Sequence, residues 1–336
     1  MFFVGIDLHK KTITVCVVNQ EGGVVMRRTL ACCEPHNIVA FFQRLGKFQA
    51  VVEATSSYEW LWRLLEPMAD RLVLAHPKKL RIIAESKRKS DRIDAQVLAE
   101  YLAKDEIPES YRPTPRQRQH RMLVRHRCFA RRRGASARTK IRRIVADYNA
   151  DRPNLFTADG LSYLAGLKLA DADRFVVDQL VQEWQQHQSR VQQAEKRLRA
   201  FAKDAPALEA EARAVLGSIP GVGTVTIEIV LSELADIRRF RSEKNTVAYA
   251  GLAPGFRESA GKRKDLAITK EGSRLLRWAL VEAAWRLVRH SRRWATIYGR
   301  LQQRRGKKKA IVAVARRLLG VMVAVWRTGQ PYRHAG

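Results

Sequence analysis

Four carboxylates in the first hundred residues have the chemical type and the positions to support catalysis. Asp7 lies within an apolar, strand-like run, Glu53 ends another such run, and Asp91 and Asp94 stand three residues apart in a helix-like segment. An acid in a buried-type strand is costly unless it is paired with a cation or bound to a metal. Ligation by oxygen alone suits magnesium or manganese, and a pair of such ions can assist phosphodiester cleavage.

The segment around Asp91 and Asp94 also has a simpler explanation. Ser90 or Asp91 can cap a helix here, and acids in a first helical turn suit the helix dipole. On a helix, however, acids three residues apart share one face. Lys87 and Arg88 would then surround the pair with charge that attracts phosphate. Both a solvated helix start and a metal-binding pair remain open at this point.

Ser259 lies in a strongly basic stretch and is a candidate nucleophile. Arg257 and the run Lys262, Arg263 and Lys264 can supply positive charge to a phosphorane-like transition state. A serine hydroxyl must also lose its proton to attack phosphate, and no histidine is near in sequence to accept that proton. The alternative is an ordinary serine in a polar loop.

The same stretch does not satisfy the phosphate-binding P-loop motif. Gly255 is one residue too far from Gly261 and Lys262, and Arg263 stands where the motif needs serine or threonine. A nucleotide triphosphatase is therefore not expected.

A glycine-containing turn at 216–223 resembles the loop of a helix-hairpin-helix. Pro220, Gly221 and Gly223 would expose backbone N–H groups at the start of a helix from Thr224, where a phosphate can bind. An ordinary turn between two helices is the equal alternative.

The elements that must position the carboxylates follow from the hydrophobic pattern. Apolar runs at 2–8, 12–18 and 24–30, separated by short turns, predict three strands in an antiparallel meander. Strands and helices then alternate up to residue 75. This order predicts an α/β domain with a mixed sheet, in which Asp7 and Glu53 lie on strands.

The rest of the chain is expected to be mainly helical. Residues 112–143 contain 13 Lys and Arg and no acid, yet their apolar spacing is helical, so they predict basic helices that contact phosphate. Residues 175–208 predict a long amphipathic helix, either a coiled-coil dimer seam or a helix packed within the chain. A core helix containing Trp278 is expected further on. The basic positions singled out for backbone contact are Arg131, Arg132, Arg133, Arg305, Lys307 and Lys308.

The charge of the whole chain points to a polyanionic partner. Its 336 residues carry 63 Lys and Arg against 33 Asp and Glu, a net charge of +30, which makes nucleic acid the natural partner. No apolar run is long enough to span a membrane, and Asp7 interrupts the run that a signal peptide would need. The four cysteines lack paired spacing, which favours neither a zinc site nor a disulfide framework. A cytoplasmic, nucleoid-associated bacterial protein is expected.

Four segments resemble the transposases of one bacterial insertion-sequence family. Gly5-Ile-Asp7, then Glu53-Ala-Thr55 with Tyr58, then Asp91-Arg-Ile-Asp94 resemble the family's RuvC-like domain, which carries Asp, Glu, Asp, Asp in this order. The stretch 249–273 resembles its C-terminal transposase domain, in which the matching serine is Ser259. The resemblance implies a ribonuclease-H-like fold for the first third of the chain, with the four acids as ligands of Mg²⁺ or Mn²⁺.

The resemblance also implies an activity and a domain plan. A metal-binding RuvC-like domain would occupy 1–110, basic helices and a coiled-coil segment 111–205, and the serine-bearing transposase domain 206–336. The implied protein is an oligomeric DNA recombinase. Its structured guide (bridge) RNA pairs with donor and target DNA, and it forms a phosphoserine link at Ser259. The implied active site is composite, with its two halves from one subunit or from two.

Three other functions remain compatible with the residues. A Holliday-junction-type nuclease would use only the four acids and leave Ser259 without a chemical role. A non-enzymatic RNA- or DNA-binding protein would hold the acids in salt bridges. A metal-free serine recombinase would use Ser259 alone. Detection of a covalent protein–DNA adduct, and magnesium dependence of cleavage, would separate these possibilities.

Overall fold

A computed structural model of the chain describes residues 1–55, 57–83, 91–259 and 262–333. Within its helices and strands, the side chains of 81–83, 91–93, 256, 257, 259 and 262–265 are not described. The chain forms two units, Met1–Arg112 and Pro113–Gly336.

The first unit is built on the mixed five-stranded sheet that its sequence predicts. The spatial order of the strands is β3-β2-β1-β4-β5. β1 runs antiparallel to β2, β2 antiparallel to β3, and β4 lies parallel to both β1 and β5, so the predicted meander and the α/β crossovers are confirmed. The strands are β1 (Phe2–Leu8), β2 (Thr12–Val18), β3 (Val24–Ala31), β4 (Phe48–Glu53) and β5 (Arg71–Ala75).

Helices cover both faces of this sheet because β-strand side chains alternate between its faces. On one face, Val4 and Ile6 of β1 pack with Phe42 and Leu61 from the first two helices. On the other face, buried residues of β4 and β5 pack against Leu98 and its neighbours in the fourth helix. The helices are α1 (Pro35–Leu45), α2 (Glu59–Leu65), α3 (Pro77–Ile83) and α4 (Asp91–Ala103).

Two long helices, α5 (Pro115–Ala146) and α7 (Asp171–Lys203), pack side by side in the second unit. They run antiparallel, since Arg127 near the start of α5 pairs with Glu195 near the end of α7, while Tyr148 just beyond α5 bonds Asp173. A Thr114 capping box begins α5. The apolar stripe of α7 packs within this chain, and the short helix α6 (Ala158–Gly166) covers one end of the pair.

The C-terminal part of this unit is organised around α9 (Thr224–Leu234). Every residue from Thr226 to Leu234 is buried, because other helices enclose α9 in a single hydrophobic core. The other elements are α8 (Ala207–Gly217), a 3₁₀ turn (Ile237–Arg239), α10 (Glu243–Tyr249), β6 (Pro254–Ser259), β7 (Lys262–Ile268), α11 (Arg274–His290), α12 (Arg292–Arg305) and α13 (Lys307–Thr328).

Two local expectations for this part were wrong. The stretch around Ser259 is an antiparallel hairpin, β6 paired with β7, rather than a loop. Trp278 lies on the outer face of α11 with half of its surface exposed, because the neighbouring Ala279 and Leu280 take the buried positions. In the part of the chain that the structure describes, no helix combines the length and apolar character needed to cross a bilayer.

Candidate active site and nucleic-acid interface

Asp7 and Glu53 lie side by side at one edge of the first unit's sheet. Ile6 of β1 is level with Val52 of β4, and the two acids are the next residues on these parallel strands. Both point to the face that α4 covers, because Gly5 and Val51, two residues earlier, face the same way. Asp7 is only 9% exposed. The adjacent strands therefore bring two carboxylates to the carboxyl edge of the sheet, where α/β proteins commonly bind ligands.

Two polar neighbours complete what is described of this edge. His9 Nε2 lies 3.0 Å from the Asp7 carboxylate, so a histidine is one polar partner of Asp7. The Thr55 hydroxyl oxygen, two residues beyond Glu53, is buried and bonds no described group. A buried hydroxyl without a partner at this end of β4 fits a site that binds water or a cation in use.

The helix α4 packs directly against β1 through Gly5. A Cβ atom at Gly5 would lie 2.0 Å from the Ala95 carbonyl oxygen and 2.5 Å from the Ala99 amide nitrogen. Asp94 immediately precedes this contact. The side chain of Asp91, the first residue of the helix, lies outside the described part, as do Lys87 and Arg88 entirely.

The described side chains do not by themselves assemble the full ligand set. No three of their acids, histidines or cysteines lie close enough together to hold a metal ion. Asp7 and Glu53 fit a divalent cation in donor type and lie on adjacent strands at one edge of the sheet. The four-acid site remains a prediction.

Ser259 is the last residue of β6, and Lys262 opposite it begins β7. The pairing continues through Arg257 with Lys264, so the backbone of the predicted basic cluster is held in one hairpin. The side chains of Ser259, Arg257, Lys262, Arg263 and Lys264 lie outside the description, and their catalytic and binding roles stay predictions. The two-residue link Ala260-Gly261, which ends in glycine, was the available signal for this hairpin.

The glycine turn between α8 and α9 serves packing. Gly221 has φ +74°, and a Cβ there would lie 2.9 Å from the Leu287 amide nitrogen of α11. Gly223 caps α9 beside the Arg286 side chain, while Thr224 reaches the surface. The turn allows close approach of α11, and a phosphate role for Gly221 and Gly223 remains a prediction.

The arginines of α5 differ in their partners. Several that reach other helices are paired with acids, for example Arg125 with Glu233 and Arg127 with Glu195, at 2.8 and 2.7 Å. Arg131, Arg132 and Arg133 are instead exposed. The exposed group has the charge and accessibility expected of backbone contacts.

The loop between α12 and α13 presents further exposed cations. Arg305, Lys307 and Lys308 surround Gly306, which has φ +75° and joins the two helices. Arg316, further along α13, is also exposed. Arg316 was not among the predicted contacts, because an isolated arginine inside a helix carries no local signal of its surroundings.

Two family models match the chain. Residues 213–299 match the family described as Transposase IS116/IS110/IS902, and residues 4–149 match a transposase domain of the IS110 type labelled DEDD. The first match contains the Ser259 hairpin and the second contains all four acids.

Three relatives each cover more than four fifths of the chain, and two of them are named transposases. The transposase for insertion sequence element IS1111A of Coxiella burnetii is 25% identical, over 98% of this chain and 90% of its own length. The pilin gene-inverting protein of Moraxella bovis is also 25% identical, over 98% of this chain and 97% of its own length. The transposase for insertion sequence element IS1328 of Yersinia enterocolitica is 23% identical, over 84% of this chain and 82% of its own length.

Proposed function

The chain belongs to the transposases of the IS116/IS110/IS902 family, enzymes of DNA recombination, and from that premise we propose an RNA-guided, site-specific recombinase that attacks DNA with Ser259. The observation that carries the proposal is the juxtaposition of Asp7 and Glu53 at the carboxyl edge of the sheet, under the helix that bears Asp91 and Asp94.

The four acids are proposed to hold Mg²⁺ or Mn²⁺. When bound, such a cation polarises the phosphate and stabilises the leaving oxygen. The carboxylates also position that charge, since acids in a polyanion-binding protein repel DNA unless a cation lies between. The close contact of Gly5 with α4 supports this role, because it ties the helix with two of the acids to the strand with the third.

Ser259 is proposed to form the covalent link. Its oxygen bonds to phosphorus as one phosphorus–oxygen bond of the strand breaks, and the serine proton leaves to a base while the leaving oxygen gains a proton. Arg257, Lys262, Arg263 and Lys264 stabilise the added negative charge. The reverse reaction with a new strand end rejoins DNA without ATP, in agreement with the missing P-loop.

Guide RNA is proposed to supply target choice. No recognition-helix motif for base edges is evident, whereas exposed cations on α5 and at the α12–α13 loop provide sequence-independent contact. In the proposed division of labour, 1–110 bind the metal, 111–205 form the basic helices and the coiled-coil segment, and 206–336 carry the nucleophile. The active unit is a dimer or tetramer associated with the bacterial nucleoid.

A test of the nucleophile uses Ser259→Ala, Asp94→Ala and a matched control. Ser136→Ala removes the same atom from an exposed position on α5. Each protein is incubated with cognate DNA, guide RNA and Mg²⁺, and protease-sensitive protein–DNA species are sought on a denaturing gel. Wild type and Ser136→Ala should give the adduct, and the other two should not.

Two results would contradict this mechanism. An adduct that persists in Ser259→Ala would move the nucleophile elsewhere, and Ser273 would be the next candidate although its hydroxyl caps α11. Cleavage without any adduct in wild type would support a nuclease that uses the carboxylates alone.

A further inference from the structure

A strongly basic groove lies between the Pro254–Ile268 end of the β6–β7 hairpin and the junction of α12 with α13. Its volume is about 580 Å³. Five cations line it, and none of the described lining residues is acidic. They are Arg304, Arg305, Lys308, Lys309 and Arg316.

No described side chain of the protein compensates the charge of these cations. All five are exposed, and none makes an ion pair or a hydrogen bond with a described residue. The inward arginines of α5 differ, since Arg127 and Arg142 each pair with a carboxylate. Lys308 and Lys309 also lie in the first turn of α13, where the helix dipole disfavours positive charge. A polyanion in the groove would offset both the mutual repulsion and the dipole.

One wall of the groove is apolar, which phosphate contact alone does not require. Leu266 of β7 is 41% exposed and lines it together with Pro254 and Val312. An apolar wall beside cations suits a ligand with both phosphates and accessible ring faces. Duplex DNA presents the phosphates but hides its base faces in the stack, whereas an unpaired strand presents both.

We propose that this groove binds an unpaired DNA strand, with its phosphates on the five cations and a base or sugar against Leu266. Strand β6 connects the groove to Ser259 over five residues, about 17 Å at the usual rise of a strand. The groove would therefore hold the strand a few nucleotides from the proposed point of attack. That last step rests on the proposed function of Ser259, whereas binding in the groove does not.

The test compares two pairs of arginine substitutions in the full-length protein. Arg305→Gln with Arg316→Gln removes two charges from the groove. Arg292→Gln with Arg293→Gln removes two exposed charges from the opposite end of α12. Fluorescence anisotropy at several salt concentrations measures binding of an unpaired DNA octamer, the same sequence as a blunt duplex, and the same sequence as unpaired RNA.

The groove pair should weaken binding of the unpaired DNA on the order of tenfold and make its salt slope shallower by about 1.4, the value for two lost contacts to a single strand. The effect on the duplex should be clearly smaller, and the control pair should not show this difference. Equal effects of both pairs, an equal loss for duplex and unpaired DNA, or a loss confined to RNA would each overturn the proposal.

The apolar wall has its own control. Leu266→Ala should weaken binding of the unpaired DNA roughly fivefold and leave binding of the duplex unchanged. The substitution removes an apolar contact to a base or sugar and removes no charge. Leu208→Ala, at a leucine that is 65% exposed on α8, should alter neither. An unchanged affinity in Leu266→Ala would contradict the wall contact. These binding assays need no catalysis, so their failure is distinguishable from failure to form the Ser259 adduct.

Discussion

A single buried carboxylate ties together three helices of the second unit. Glu228 of α9 is 6% exposed, and its two oxygens accept hydrogen bonds from His120 of α5, at 2.5 Å, and from Arg213 of α8, at 2.7 Å. Glu209 in turn binds Arg213 and Arg116. Burial acts to raise the pKa of Glu228, but the hydrogen bonds from His120 and Arg213 outweigh it, so the pKa lies below the ordinary value.

Loss of this carboxylate should destabilise the protein strongly. Glu228→Gln removes one of the two carboxylates that pair with Arg213 and leaves Glu209 as the other. Fully breaking a buried pair costs about 3–5 kcal/mol, and we expect a loss that approaches the lower end of this range. Urea unfolding at pH 7 should show the loss, while Glu211→Gln, at an exposed position on α8, should be nearly neutral. Equal midpoints for the two variants would show that the network does not stabilise the fold.

The same carboxylate should give an acid-sensitive component of stability. Because the folded pKa of Glu228 is lowered, its contribution is complete above the unfolded value of about 4.3 and is lost as pH falls through the lower folded value. The difference in unfolding free energy between wild type and Glu228→Gln should therefore shrink below about pH 4. A difference that stays constant down to pH 2 would contradict this assignment.

At the scale of elements, the packing of α4 on β1 controls the proposed metal site. Glycine is the only residue type that permits this contact at position 5, since any Cβ would meet the backbone of Ala95 and Ala99. The contact lies two residues before Asp7 and one residue after Asp94. Small movements of α4 would therefore change the spacing of the carboxylates.

Gly5→Ala should displace α4 and impair catalysis beyond its effect on folding. Overpacking of this kind costs about 1–3 kcal/mol, and the shifted helix should also lower strand exchange at temperatures where the variant remains folded. Gly166→Ala is the matched control, because nothing lies within 4 Å of a Cβ there and alanine favours a helix. Thermal unfolding and recombination assays measure the two effects. Wild-type activity in folded Gly5→Ala would show that the packing of α4 on β1 does not control catalysis.

At the scale of the molecule, the net charge of +30 is unevenly compensated. Arginines that face the interior of the second unit pair with Glu195, Glu209, Glu228 or Glu233. The exposed cations of α5 and of the α12–α13 junction are left to bind external phosphate. The excess charge is thus available to nucleic acid rather than consumed by the fold.

Site-specific recombination should depend on copurifying RNA. Nuclease-treated protein should retain salt-sensitive DNA binding through its exposed cations but lose target choice, because no base-recognition helix is evident. The loss of target choice is measured by comparing recombination at cognate and scrambled sites. The comparison is made before RNA removal, after it, and after RNA is added back. Sequencing of the bound RNA identifies the guide. Site-specific activity by RNA-free protein would refute the proposal.

The sequence by itself determined most elements of the first unit and the long helices of the second. Strand patterns at 2–8 and 12–18, and the helical spacing that became α7, depend on the period of apolar residues, which is a local property. Asp7 and Glu53 could be placed on strands for the same reason, and the resemblance to transposases rests on short contiguous motifs.

Only the tertiary structure decided which surfaces meet. The partner of Glu228 is His120, 108 residues away, and the groove combines Leu266 with Arg304 and Arg316 from two other helices. Trp278 lies outside the stripe that the buried residues Leu276, Ala279 and Leu280 of α11 form, and half of its surface stays exposed. Periodicity gives the side chains that share a face, whereas long-range packing selects the partner of each face, and that selection is not encoded in any local pattern.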